Sequence, residues 1–438
     1  LSPSPYLVAL QELFTKEALR TQLEEQLDPV PPSGRVLSPT DARVRGMAEA
    51  LENEPALLGA ICREAAFAAT SANLLAAVDM HVRRFQTPGF SNFEGMLENP
   101  DNLDWIGRRF SPEHEFSATQ LEAFAACPFR FFVEHVLDVS PLATVDVETE
   151  HGRRGTLVHD ILAELHRQLM ETDSQAEPQP DTSAIVSHFH RLLRERLGAR
   201  PEFSELQQAL LEIEERLLGD WGLAYGRQWD LYLATQPESS DRPLRPAHFE
   251  TAFGRTGAGP GIPGTRAPLV IGAGDREVRV GGRIDRIDVG ANSGRTVFTV
   301  IDYKTGSIHS QKLEDIAAGR ALQLALYTLA VVRLEIVGPD SGPIQMGYWQ
   351  IRNQGFLPGI SQRKKADARL APLEASVWET LVKTLDDVIP RLAAAMRAGK
   401  FPVFNPDESC TSRCPYQTIC RVGQIRALPA ALGKTWEI

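Results

Sequence analysis

GGRIDRID (281–288) and VIDYKTG (300–306) decide how this chain is read. Both are short runs rich in β-branched residues, and GANSG (290–294) lies between them, so they predict two strands joined by a turn. EVRVGG (277–282) reads as a further strand just ahead of RIDRIDV (283–289). Sixteen residues separate Asp285 from Asp302, enough for one hairpin, which would put the two carboxylates on adjacent strands. Residues two apart on a strand share a face, so Asp302 and Lys304 would project together. Two carboxylates and an ammonium on one small patch are costly unless something uses them. Asp302 also follows Val300 and Ile301, a run expected to be buried. A hard divalent cation meets that need: Mg2+ takes one or two carboxylates, keeps several waters and accepts a substrate phosphate. By spacing alone the same residues are equally a solvated ion pair at a strand end, so the surroundings have to decide.

Upstream of the hairpin, Ser117 and Gln120 have the spacing of a capping box opening the helix ATQLEAFAACPFRFFVEHVL. GRRGTLVHDILAELHRQLM (152–170) repeats apolar residues at Val158, Leu162, Leu165 and Leu169, a second amphipathic helix. The polar, Pro-containing stretch 171–183 reads as a loop, and a helical region follows from about Ala184 to Trp229. The Gly- and Pro-rich residues 254–275 read as one long loop. Downstream, 313–334 is helical, 344–351 a strand and about 373–398 a final helix. This order predicts an α/β fold, a small mixed sheet flanked by helices, over residues 111–438. Residues 1–110 read as an added helical N-terminal region, richest in helical spacing from Ala42 to Val82, with no catalytic motif.

Composition sets limits on partners. The 438 residues are 43% hydrophobic, enough for a sizeable core. A net charge of -11 excludes a generally basic nucleic-acid binder, so a polyanion would have to meet a local basic surface. Arg153-Arg154 and the set Arg352, Arg363, Lys364, Lys365 and Arg369 are the candidates, against the plain alternative of solvated faces. No apolar run reaches the length of a membrane span, and LSPSPYLVALQELF (1–14) has no signal-peptide pattern, so a cytoplasmic protein is expected. Position 1 is not Met, as in a processed chain or a piece of a longer one. Two motifs fail their structural tests. Gly259, Gly261 and Gly264 spell a dinucleotide fingerprint interrupted by Pro260 and Pro263, and Gly433-Lys434-Thr435 has Leu428 where a phosphate-binding loop needs glycine.

Three of five cysteines, Cys410, Cys414 and Cys420, crowd near the C-terminus, and Cys127 lies far upstream. Four thiolates suit either zinc or an iron–sulfur cluster. Cys62 is outside the pattern and reads as a buried apolar residue. His159, Glu250, Gln323 and Tyr327 are each bland alone.

Taken in order, SATQLEAFAACPFRFF (117–132), GTLVHDIL (155–162), the acid of FETAFG, GGRIDRID, VIDYKTG, LQLALY (322–327) and the cysteine trio resemble the RecB-like nucleases of the PD-(D/E)XK superfamily. The cysteine layout is similar to the AddB-type members, with three residues between Cys410 and Cys414 where that family usually has two. The resemblance implies a restriction-endonuclease-like core. It implies His159, Asp285, Asp302 and the Tyr303 carbonyl as metal ligands and Lys304 as the catalytic lysine. Gln323 and Tyr327 would support the site and contact DNA, with Glu250 a weaker member. It further implies a [4Fe–4S] cluster on Cys127, Cys410, Cys414 and Cys420, tying the two ends of the core together. The expected function is a Mg2+- (or Mn2+-) dependent deoxyribonuclease, an exonuclease on single-stranded ends in DNA break repair, beside a helicase partner. The competing classes are a catalytically idle DNA-binding module and a zinc-stapled scaffold.

Overall fold

A computed structural model describes residues 29–32, 38–64, 68–85, 89–141, 151–172, 180–198, 204–236, 240–257, 263–306, 308, 312–360, 373–405, 407, 409–420 and 422. The chain forms two compact units, Leu1–Phe93 and Glu94–Ile438.

In the first unit, the helical spacing from Ala42 to Val82 falls on α1 (Pro39–Leu51), α2 (Ala56–Arg63) and α3 (Ala68–Phe85). The Ser38 side chain accepts the Asp41 N–H and starts α1, with Pro39 in its first turn. Leu58 and Ile61 of α2 are buried, and a Cβ on Gly46 would stand 2.9 Å from the tip of the Ile61 side chain, which would have to shift.

The second unit is an eight-stranded mixed sheet between two helical layers. It contains β1 (Glu115–Ser117), β2 (Arg242–Phe253), β3 (Gly264–Thr265), β4 (Leu269–Ile271), β5 (Val278–Asn292), β6 (Arg295–Lys304), β7 (Gly342–Gln350) and β8 (Gly355–Pro358). The order is β3-β2-β5-β6-β7-β8, with β1 and β4 both pairing with β5. The segments expected as two strands, 277–282 and 283–289, are one strand. Gly281 and Gly282 do not break it; a Cβ on Gly282 would stand 2.8 Å from the Tyr327 ring, so the glycine lets a buried aromatic approach the strand. The residues expected as one long loop carry β3 and β4, because Leu269 and Ile271 alternate inward against Val280 and Val278. Ser293 and Gly294 have positive φ (52° and 73°), the geometry that turns β5 tightly into β6.

One face of the sheet packs on α4 (Pro100–Arg109), α5 (Ala118–Ala126), α10 (Gln323–Arg333) and α11 (Ala375–Arg397), through residues such as Ile106, Phe124, Leu326 and Leu385. The other face packs on α6 (His151–Thr172), α7 (Thr182–Leu197) and α8 (Glu205–Ala234), through Leu162, Phe189, Tyr225 and Trp229. Val158, Leu162 and Leu165 are all fully buried, as the spacing of α6 requires. The region expected as one helix from about 184 to 229 is two, α7 and α8. The helical pattern of 313–334 also divides. A short α9 (Leu313–Ala317) ends at Gly319, whose φ of +73° suits glycine, before α10 begins. α10 bridges β6 to β7, which pair in parallel. Among the described residues no helix is long and apolar enough to cross a membrane.

Candidate functional site

The hairpin of β5 and β6 is paired from Asn292↔Arg295 to Arg286↔Ile301, and there the ladder between them stops. Asp285 and Asp302 are the next residues on their strands. Asp302 stays paired with β7, opposite Tyr348, while β5 diverges. The gap is bridged by a side chain: Asp285 Oδ2 accepts the Tyr303 N–H at 2.8 Å. A forked pair of strands thus opens a slot whose walls are two buried acids, 9% and 2% exposed.

Asp302 and Lys304 share a face of β6, and the Lys304 ammonium lies 2.6 Å from Asp302 Oδ2. Gln323, the first residue of α10, closes the triangle. Its Nε2 donates to Asp302 Oδ1 (2.8 Å) and its Oε1 accepts from Lys304 (3.2 Å). The Tyr327 hydroxyl lies one turn on, 3.5 Å from Gln323 Nε2. Burial, followed by the charge of Asp285, pushes the Asp302 carboxyl up to about 7, against the pull of Lys304.

Three donors from three elements converge on the slot. His159 of α6 sets Nδ1 3.4 Å from Asp285 Oδ2. Burial opposes charge on its imidazole, but Asp285, then Asp302 and Glu250, raise its pKa overall. Glu250 lies on β2 between the pairs Phe249↔Arg286 and Thr251↔Ile284. Its φ is +50°, left-handed for a non-glycine residue, a strain of order 1–3 kcal/mol, and it falls where the β2–β5 ladder is interrupted. Its carboxylate meets Arg283 at 2.9 Å, and burial, then Asp285, push it up to about 7. One ligand atom each from His159, Glu250 and Asp285 lie within 4.8 Å of one another. Glu250 therefore stands nearer the centre of this group than its weak sequence signal indicates. The set fits a divalent cation: burial and the charge of Asp285 hold Glu250, and Asp302 just outside this group of three, near neutral pKa, and Glu250 Oε1 is buried without a hydrogen-bond partner.

Behind the slot, on the other face of β5, lies a polar network that the sequence did not reveal. Arg286 and Asp288 are fully buried and joined at 2.5 and 2.6 Å. Arg286 also donates to the hydroxyls of Tyr225 (3.0 Å) and Tyr303 (3.2 Å), and Tyr232 donates to Asp288 (2.8 Å). The rings of Trp229, Trp349 and Tyr232 surround its guanidinium at 5.0 to 5.6 Å. Tyr303 thus bridges two sites: its N–H fixes Asp285 and its hydroxyl anchors in this network. The available signal was alternation: charges at 286 and 288 flanked by Ile284, Ile287 and Val289, on a strand covered on both faces.

Glu122 is a second residue that sequence reasoning missed. Its carboxylate Oε1 accepts the backbone N–H groups of Leu322 (2.6 Å) and Gln323 (2.9 Å). Its only sequence signal is an acid beside Leu121 and Phe124 in an apolar helix.

Cys410, Cys414 and Cys420 lie near enough to Cys127, at the C-terminal end of α5, to act on its thiol, but among the described residues no three of these sulfurs are drawn together as a ligand group. Cys127 caps that helix and accepts the Arg130 N–H on its sulfur at 3.4 Å. Its thiol is pushed up to about 11 by burial, with further contributions from the neighbouring thiols of Cys414, Cys410 and Cys420. Tyr416 pins the tail by donating to the Val139 carbonyl at 2.7 Å. Four thiolates are of a number and type that iron–sulfur clusters and zinc take, but among the described residues their sulfurs are not gathered into a ligand group.

Of the basic candidates, Arg154 is engaged by Glu214 at 2.7 Å and Arg352 stacks over Trp221 at 5.5 Å. Arg363, Lys364, Lys365 and Arg369 lie outside the described residues, as do Gly259, Gly261 and Gly433-Lys434-Thr435.

Residues 115–421 match the family model of the PD-(D/E)XK nuclease superfamily. The chain is similar to bacterial proteins whose shared name makes each of them one subunit of an ATP-dependent helicase/deoxyribonuclease. It is 31% identical to that of Moorella thermoacetica over 62% of this chain and 22% of the relative. It is 28% identical to that of Desulforudis audaxviator over 65% and 24%, and 29% identical to that of Listeria welshimeri over 54% and 19%. The matched regions thus span less than a quarter of these relatives' length.

Proposed function

The chain belongs to the PD-(D/E)XK nuclease superfamily, and from that premise we propose that it is a Mg2+- or Mn2+-dependent deoxyribonuclease. It would act as an exonuclease on single-stranded ends during DNA break repair, in the cytoplasm, beside a helicase partner. The catalytic region is 111–438. The observation that carries this reading is the fork, where β5 and β6 separate at Asp285 and Asp302 with Lys304 and Gln323 on the same rim. The names of the relatives support DNA as substrate and a helicase as companion.

Asp285, Asp302 and His159 would hold the cation, with Glu250 and the Tyr303 carbonyl completing the set. Once bound, it supplies charge neutralisation at a phosphodiester and activation of water. Lys304 would orient the attacking water through a hydrogen bond to its oxygen and donate hydrogen bonds to the phosphate oxygens as negative charge grows there, the water's proton passing to solvent. Gln323 fixes Lys304 and Asp302 relative to one another, so neither has to reorganise during reaction. His159, with Asp285 against Nδ1, is held in one ring orientation. The direct test is digestion of end-labelled single-stranded DNA with Mg2+ by the parent and by Asp302→Ala. Loss of cleavage in the variant supports the reading, and equal cleavage by both overturns it.

The raised acids predict how the cation acts on stability. Asp302 and Glu250 keep their protons up to about pH 7 in the fold, whereas the unfolded chain releases them near 4. Without the cation, stability therefore falls as pH rises from about 4 towards 7. The cation needs the deprotonated acids, so its stabilising effect should grow across the same window. Addition of Mg2+ at about 100 times its Kd should raise stability by about 2.7 kcal/mol at pH 8. At pH 5.5 it should produce little change in Tm. Calorimetry at both pH values with and without Mg2+ checks this.

The cysteine set we assign to a structural [4Fe–4S] cluster, which closes the chain from Cys127 to the C-terminal trio around the nuclease core. Cys414→Ala should lower Tm by several degrees and abolish absorbance near 400 nm, by loss of a ligand that folding depends on. A colourless parent containing one zinc would show the alternative metal.

A further inference from the structure

α10 carries Gln323, yet its own sequence does not cap it. The residue before it is Leu322, and no side chain of the helix's own accepts from its first turn. A helix start leaves several N–H groups without partners. Here two of them, from Leu322 and Gln323, converge on one oxygen, Glu122 Oε1, on α5. A carboxylate there also complements the positive end of the helix dipole. α5 touches the approach to α10 a second time: a Cβ on Gly319 would fall 2.8 Å from the Ala125 Cβ. Two residues one turn apart on α5 therefore define where α10 begins. Cys127 ends that same helix, five residues beyond Glu122.

We propose that Glu122 is the positioning residue of the nuclease site and the link by which the four-cysteine site keeps it in register. The connection runs from Cys127 along α5 to Glu122 Oε1, across two hydrogen bonds to the start of α10, and through Gln323 to Lys304 and Asp302. Glu122 touches neither substrate nor cation; it fixes the backbone from which Gln323 reaches. This inference rests on the nuclease reading of the site. An inactive parent would refute that reading, whereas the comparisons below are made only with an active one.

The test uses the purified full chain with Mg2+ and single-stranded DNA, in the parent and in Glu122→Ala, Glu122→Gln, Cys414→Ala and Glu122→Ala/Cys414→Ala. Glu122→Ala should lower kcat about 10- to 100-fold, the usual effect of removing a group that orients a metal-site residue. KM should stay within about 2-fold, as should the Mn2+ dissociation constant measured by paramagnetic resonance without DNA, because the ligands remain. Glu122→Gln keeps an oxygen in the accepting position and should retain kcat within about 3-fold of the parent. Cys414→Ala alone should also lower kcat, but in the Glu122→Ala background it should lower kcat no further, while still lowering Tm. Should Glu122→Ala lose its near-ultraviolet dichroism, Glu122→Asp replaces it. That variant withdraws the oxygen by one methylene and should lose about 10-fold in kcat.

Unchanged kcat in Glu122→Ala overturns the proposal. So does a Gln variant as impaired as the Ala variant, since the acceptor would not then be what matters. Losses that multiply in the double variant overturn the link to the cysteines.

Discussion

Lys304→Ala is expected to lower kcat for single-stranded DNA about 100- to 1,000-fold, equivalent to about 2.7–4 kcal/mol of transition-state stabilisation. KM should change little. The reason lies in the geometry. The ammonium sits 2.6 Å from Asp302, 3.2 Å from Gln323 and 5.2 Å from the centre of the Tyr348 ring, so it is held by three groups at the rim of the slot. It is 34% exposed and can reach a phosphate, whereas Asp302 cannot leave its pocket. A donor already placed where charge develops costs no reorganisation during the reaction, and that advantage disappears with the side chain. The substitution also removes the group that restrains the Asp302 pKa, so the cation should compete less well with protons. Initial rates measured across Mg2+ concentrations separate the two effects. Saturating Mg2+ should restore cation occupancy but not kcat.

The second large effect concerns stability. Arg286→Ala leaves the fully buried Asp288 with the Tyr232 hydroxyl in place of its guanidinium partner. Removing one member of a buried ion pair costs about 3–5 kcal/mol, because the remaining charge is neither solvated nor matched. For a unit of this size that corresponds to a fall in Tm of roughly 4–7 °C. Replacing both members, as Arg286→Met with Asp288→Leu, should cost much less, since no unpaired charge remains. The double variant should nonetheless lose activity, because Tyr303 loses the anchor for its hydroxyl while its N–H still has to hold Asp285. Calorimetry combined with the nuclease assay distinguishes these results. A melting temperature for Arg286→Ala within about 2 °C of the parent would contradict the account.

Much of this molecule is legible in its sequence. Apolar residues at helical spacing mark α6, a run of β-branched residues marks β6, and Ser117 with Gln120 form the expected capping box. These are local signals, and packing does not override them. Where sequence and structure differ, the deciding contact is distant. β4 reads as loop because its three residues become a strand only by pairing with β5. The 313–334 helix breaks at Gly319, where the chain must pass against Ala125 of α5. At the site, Asp285, Asp302 and Lys304 are visible because hairpin geometry places them. Glu250 is weak because its position depends on a left-handed residue inside a strand. Glu122 and Arg286 are invisible because their partners lie in remote parts of the chain. The residues that bear chemistry announce themselves by type and spacing; those that hold them in place do not.

If the fork between β5 and β6 exists to grip a cation, the ion should be found in it. Diffraction from crystals grown with Mn2+, collected to bring out the anomalous signal of manganese, tests this most directly. A peak within ligand distance of His159, Asp285 and Asp302 in the parent, absent in Asp302→Asn, is the predicted result. A catalytically active protein whose manganese lies elsewhere, or remains in place in Asp302→Asn, would contradict it.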